Sequence, residues 1–172
     1  MYVTGIGLNT LLQTLIGPDR TLSNSGIYIR EIHRPTGAFT PSEAQLADLQ
    51  SLATRLLLPL PEPIASWISS HCTFEATQLG DRLCLSSDTA TNLIKEALRK
   101  LRTYTNLQRI RLERIPAALA LETTLAYQDP LITYLLASTE QQAPPKLAYY
   151  AAYPTKLLVE SYTEVTGRML SP

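Results

Sequence analysis

The chain has 172 residues, a length that favours one domain over 1–172, because separate cores usually arise only beyond roughly 250 residues. Its 45% hydrophobic and 17% charged content excludes disorder over the whole length. Fifteen basic and fifteen acidic side chains give a formal net charge of +0, which excludes a global pull toward nucleic acid or an anionic membrane and confines any such binding to a local patch.

Gly5-Ile6-Gly7-Leu8-Asn9-Thr10 reads as a turn before an apolar helix over 8–16. A dinucleotide loop needs a third glycine where Thr10 stands and a full strand ahead of it. Ser23-Asn24-Ser25-Gly26 is turn chemistry, and a strand is expected over 27–33. Thr40-Pro41-Ser42-Glu43 combines a capping box with proline at the first helical position. It predicts a helix over 41–58 with a stripe of Leu46, Leu49, Leu52, Ala53, Leu56 and Leu57. Leu60-Pro61-Glu62-Pro63 then reads as an extended connector before a short segment holding Trp67 and Ile68.

The middle of the chain predicts β-β-α-β over about 72–114. Phe74 and Ala76 alternate with polar neighbours, Gly80-Asp81 supplies a hairpin turn, and Leu83 and Leu85 return. Ser86-Ser87-Asp88 offers N-caps for a helix to about 103 with a stripe of Leu93, Ile94, Ala97, Leu98 and Leu101. Alternation from Leu107 to Glu113 suggests a third strand. Helices are expected from Pro116 to about 128, from Pro130 to about 138, and finally along Leu157, Leu158, Ser161, Tyr162 and Val165, stopping at Gly167. Residues 147–153 fit helix or strand. The fold class is therefore α+β: a small antiparallel or mixed sheet packed with helices from the N- and C-terminal thirds.

No basic residue precedes Arg20, and the apolar stretches fall short of the ~20 residues that span a bilayer, so the expectation is a cytoplasmic protein with no membrane partner. Cys72 and Cys84 fall on opposite faces of the expected hairpin and read as free thiols. A phosphate-binding Gly-x-x-x-x-Gly-Lys loop and a Gly-x-Ser-x-Gly elbow are both missing from the sequence. His33, His71, Cys72 and Cys84 are too poorly spaced for a zinc site, so no metal and no cofactor is expected. Glu31 beside His33 on one strand face is thin material for catalysis, as are Glu75, Asp81, Asp88 and Asp129, which fit caps and turns.

Charge placement carries the most information. Residues 95–114 hold seven basic side chains against two acids, a local +5 that leaves −5 for the rest of the chain. Lys95, Arg99 and Arg102 fall within about 60° of one another on a helix, and Arg109, Arg111 and Arg114 follow. Arginine's planar fork suits carboxylates and phosphates. The plain alternative is a solvated face. Tyrosine is the second bias, with six of nine in the last 46 residues. Tyr149, Tyr150 and Tyr153 would share one helical face and suit a protein interface, with core packing as the plain alternative. Together these features point to a non-catalytic macromolecule-binding module, acting as an adaptor, assembly or regulatory protein. Its expected partner is another protein, with an acidic surface as one option. The alternatives are a nucleic-acid binder using 95–114 and an enzyme of unidentified class.

Overall fold

The computed structural model describes residues 1–32, 54–71, 75–105, 110–137 and 153–171. Strand β1 (Leu15–Ile16) pairs antiparallel with β4 (Thr77–Gln78), and β2 (Ile27–Glu31) pairs antiparallel with β3 (Arg55–Pro59). Leu22 joins the two pairs by bridging Ile16 on one side and Tyr28 on the other. The α+β class with a small antiparallel sheet is thus present, built mainly on 15–31 and 55–59, with Thr77–Gln78 the only described strand between 72 and 114.

Burial shows why 55–59 is a strand and not the end of a helix. Leu56 and Leu58 are 0% exposed and Leu57 is 55% exposed, the period of two that a half-buried strand requires. Leu58 lies opposite Tyr28 and Leu56 opposite Arg30. The helix expected over 41–58 is therefore corrected at its C-terminal end; Thr40 and the stripe through Leu46, Leu49, Leu52 and Ala53 lie outside the described residues. The strand at 27–33 ends at Glu31, and His33 also lies outside them.

Helix α1 (Leu8–Gln13) stops earlier than 16 because Leu15 and Ile16 enter the sheet. Helix α2 (Glu62–His71) replaces the second half of the extended connector, Glu62 and Pro63, and takes in the segment holding Trp67 and Ile68. Pro63 sits in its first turn, where a missing N–H costs nothing, and the Pro61 carbonyl accepts Ile64 and Ala65 N–H at 2.9 and 3.0 Å. Gly26, at φ +74, lets β2 start against this helix, since a Cβ there would lie 2.5 Å from Ala65 Cβ.

The hairpin expected at 73–85 is absent over its described residues. After β4, Leu79 donates to the Thr14 carbonyl at 2.9 Å, and the chain turns into the short helix α3 (Leu79–Arg82) against α1. Gly80 serves that approach: a Cβ would stand 3.1 Å from the Leu12 carbonyl oxygen. Leu85 N–H returns to Gly80 O at 2.9 Å, so Leu83 to Leu85 wrap the helix end instead of pairing backward. Cys84 is an exposed free thiol at φ +51. The parity argument loses its hairpin, and Cys72 lies outside the described residues.

Helix α4 (Ser87–Thr105) follows, then a single 3-10 turn (Leu112–Arg114), so the described part of the expected third strand, 110–113, is not a strand; 106–109 lie outside the described residues. Helices α5 (Ala117–Tyr127), α6 (Pro130–Ala137) and α7 (Thr155–Leu170) pack on one another, and α7 also lies on β3. Leu158, Ser161, Tyr162, Val165 and Thr166 form its buried face. Leu157, expected on that face, is exposed. The helix passes through Gly167, and Met169 beyond it still packs on the core. Tyr162 donates its hydroxyl to the Val3 carbonyl at 2.9 Å, tying the first residues to the last helix, and burial pushes its phenol well above the usual range. Among the described residues, no helix is long and apolar enough to cross a membrane.

Candidate functional site

Helix α4 is placed by its ends. Ser86 is its N-cap: the hydroxyl accepts Thr89 N–H at 3.2 Å, and Asp88 in the first turn complements the helix dipole. Ser87 donates to Asn9 Oδ1 at 2.5 Å, joining the start of α4 to α1. At the other end Arg102 donates through both Nε and Nη2 to the Ile110 carbonyl, at 2.9 and 2.6 Å. This fork holds 110–111 against the last turn of α4 and leaves the Ile110 carbonyl no role in a β ladder, which explains why the expected strand is absent there.

The same contact sets the start of the 3-10 turn, with Arg111, beside the basic helix α4. Arg111 follows the carbonyl that Arg102 grips, and Arg114 closes the 3-10 turn, its N–H bonded to Arg111 O at 3.0 Å. Arg99 and Lys95 lie about one and two turns back along α4 from Arg102. The side chains of Lys95, Arg99, Arg111 and Arg114 are exposed and make no hydrogen bond or ion pair with any described residue. Elsewhere Arg55 pairs with Glu31 at 3.5 Å, and Lys156 with Glu160 and Arg168 with Glu164 at 3.8 Å each, while exposed Arg20 has no such partner among the described residues either. Lys100 also pairs within its helix, with Glu96 at 3.1 Å. Arg102 is half-buried and has a structural task. Arg109 lies outside the described residues.

The helix has a further surface that the sequence stripe concealed. Only Ala90 and Leu98 of α4 are buried. Leu93, Leu101 and Tyr104 are 53%, 42% and 87% exposed. Of the stripe read as core, Leu98 is buried and Ile94 half-buried while Leu93, Ala97 and Leu101 face solvent, because α4 packs mainly on α1 and on the 3-10 turn.

The tyrosine set is placed differently. Tyr153 is half-buried and donates its hydroxyl to the Asp129 carboxylate. Asp129 in turn caps α6, its Oδ1 accepting Leu131 and Ile132 N–H at 2.7 and 3.3 Å. The Tyr153 bond, aided by those two backbone donors, holds the Asp129 carboxyl below its ordinary range, while the same bond raises the Tyr153 phenol. Tyr127 donates to Glu164 at 2.6 Å, and burial, then that carboxylate, raises its phenol. Tyr149 and Tyr150 lie outside the described residues.

His71 stacks on Trp67, ring centroids 4.9 Å apart at 14°, with Nδ1 2.9 Å from the Trp67 carbonyl oxygen. Arg82 caps the end of α2 by donating to the His71 carbonyl at 2.5 Å. Glu31 is occupied by Arg55. Among the described residues, no three His, Cys, Asp or Glu side chains gather closely enough to hold a metal ion. Comparison with known protein families, with curated proteins and with solved structures finds no match.

Proposed function

We propose that this chain is a non-catalytic binding module that docks an acidic protein surface on the basic arc formed by α4 and the turn after it. The observation that carries the reading is the free state of Lys95, Arg99, Arg111 and Arg114 among the described residues, gathered where Arg102 ties the helix to Ile110. Unpaired guanidinium groups on a rigid helix and turn are preorganised to accept carboxylates in bidentate fashion. The zero net charge of the chain and an arc of only a few cations fit a protein patch better than a phosphate backbone, which rewards long basic tracks. Tyr153 supports this choice of surface, since its hydroxyl is already committed to Asp129.

The test is capture from native extract with and without nuclease, comparing the wild-type chain with Arg99→Glu/Arg111→Glu/Arg114→Glu. A partner that survives nuclease and is lost in the triple reversal supports the reading. Loss on nuclease treatment alone reassigns the arc to nucleic acid. Undiminished capture by the triple reversal refutes a role for the arc.

A further inference from the structure

The apolar side chains of α4 recur at Ala90, Ile94, Ala97, Leu101 and Tyr104, the alternating four-three spacing of a helix-pairing seam. The first part of that seam is used within the chain, where Ala90 is buried and Ile94 half-buried. The remainder faces solvent, with Leu101 at 42% and Tyr104 at 87% exposure beside exposed Ala97, and Leu93, flanking the seam before Ile94, is 53% exposed. At 100° per residue, Lys95 and Arg99 each lie about 160° around the helix from Ala97, so the basic arc and the apolar strip point in opposite directions.

The flank of the strip identifies its occupant. Glu96 and Lys100, 3.1 Å apart, run along one side of it. We propose that the strip is covered by a second copy of this chain, the two α4 helices packing antiparallel about a two-fold axis that crosses between Leu98 and Arg99. This arrangement sets Leu93 level with the second copy's Tyr104 and brings Glu96 within one residue of the second copy's Lys100. An acid followed by a base four residues on is complementary to itself when reversed. Parallel pairing would carry the two Glu96–Lys100 flanks to opposite sides of the seam, where neither meets the other, and a partner of uniform charge would repel one of the two. Ala97 near the axis keeps the backbones close. Four side chains cover less than the roughly 800 Å² per partner of a standard stable interface, so association in the micromolar range is expected. The pair would present two basic arcs outward, giving a bivalent module; the pairing itself does not depend on what the arcs bind.

Sedimentation equilibrium of the full chain, from roughly 5 to 500 µM, tests this. The wild-type chain is expected to show a monomer–dimer equilibrium, and Leu101→Asp should weaken it by about tenfold or more. Ala97→Glu, also at an exposed position, carries the same expectation, with circular dichroism confirming that each variant keeps its helicity. Glu96→Lys and Lys100→Glu should each associate poorly alone. Their equimolar mixture should regain association, because the pair within each helix stays broken while the pairs between chains are re-formed. A wild-type monomer at the highest concentration, undiminished association of both strip variants, or a mixture no better than its components overturns the proposal.

Discussion

Truncating Leu56, Leu57 and Leu58 one at a time to alanine discriminates between a strand and a helix at the same three positions. In the strand, Leu56 and Leu58 are 0% exposed and Leu57 is 55% exposed. A buried Leu→Ala change removes transfer free energy and leaves a cavity, together about 2 to 5 kcal/mol. The exposed one should cost within about 0.5 kcal/mol. With a urea m-value of about 2 kcal/mol/M, a 3 kcal/mol loss moves the unfolding midpoint by about 1.5 M, well above measurement error. The expected order is therefore a large loss at Leu56, almost none at Leu57 and a large loss at Leu58. A helix continuing the 41–53 stripe would instead make Leu56 and Leu57 costly and spare Leu58. Equal losses at Leu57 and Leu58, or the helical order, would refute the assignment of β3 and with it the pairing to Tyr28 and Arg30.

Asp129→Asn is expected to flatten the acid limb of stability. The folded carboxyl lies below its unfolded value near 3.9, chiefly through the Tyr153 hydroxyl, so its contribution is present above that pH and is lost as pH falls through the folded value. Urea midpoints from about pH 6 to pH 2 should drop less in Asp129→Asn than in the wild type; parallel curves would remove Asp129 from the account. Gly26→Ala should cost more than about 1 kcal/mol, since it strains a positive φ and drives a Cβ into Ala65. Adding Ala65→Gly should recover part of that loss in the same denaturation assay, and full additivity of the two losses would show that the contact is not the cause.

What could be read from the sequence divides by the range of the interaction that decides it. Helices α4 to α7 were readable because caps and apolar periodicity are local: Ser86 caps α4, Pro130 opens α6 behind Asp129, and Leu158, Ser161, Tyr162 and Val165 share a face. The sheet was not, because β1 and β4 have two residues each and become strands only through one another, 63 positions apart at Leu15 and Gln78. Leu56 and Leu57 fit a helical stripe by spacing alone; pairing with Tyr28 and Arg30 overrode it. Gly80-Asp81 carried a turn signal that close packing on Leu12 converted into a helix.

The candidate site shows the same division. Charge count placed the arc in 95–114, but the fork from Arg102 to Ile110, which gathers it and consumes one of its arginines, depends on a loop closing back on a helix end. No spacing rule could separate Tyr153 from its neighbours, since its partner Asp129 lies 24 residues away. Exposure of Leu93, Leu101 and Tyr104 was hidden for a related reason: an amphipathic stripe reads as core whether or not the fold supplies something to cover it.

Site-directed photo-crosslinking in native extract tests the docking surface most directly. A photoreactive residue is placed in turn at Arg99, at Arg114 and, as control, at Leu121 on the exposed face of α5. The account predicts nuclease-resistant protein adducts from positions 99 and 114 that weaken when salt is raised, and none of the same adduct from position 121. Adducts equally strong from position 121, or adducts from 99 and 114 that vanish on nuclease treatment, would contradict it.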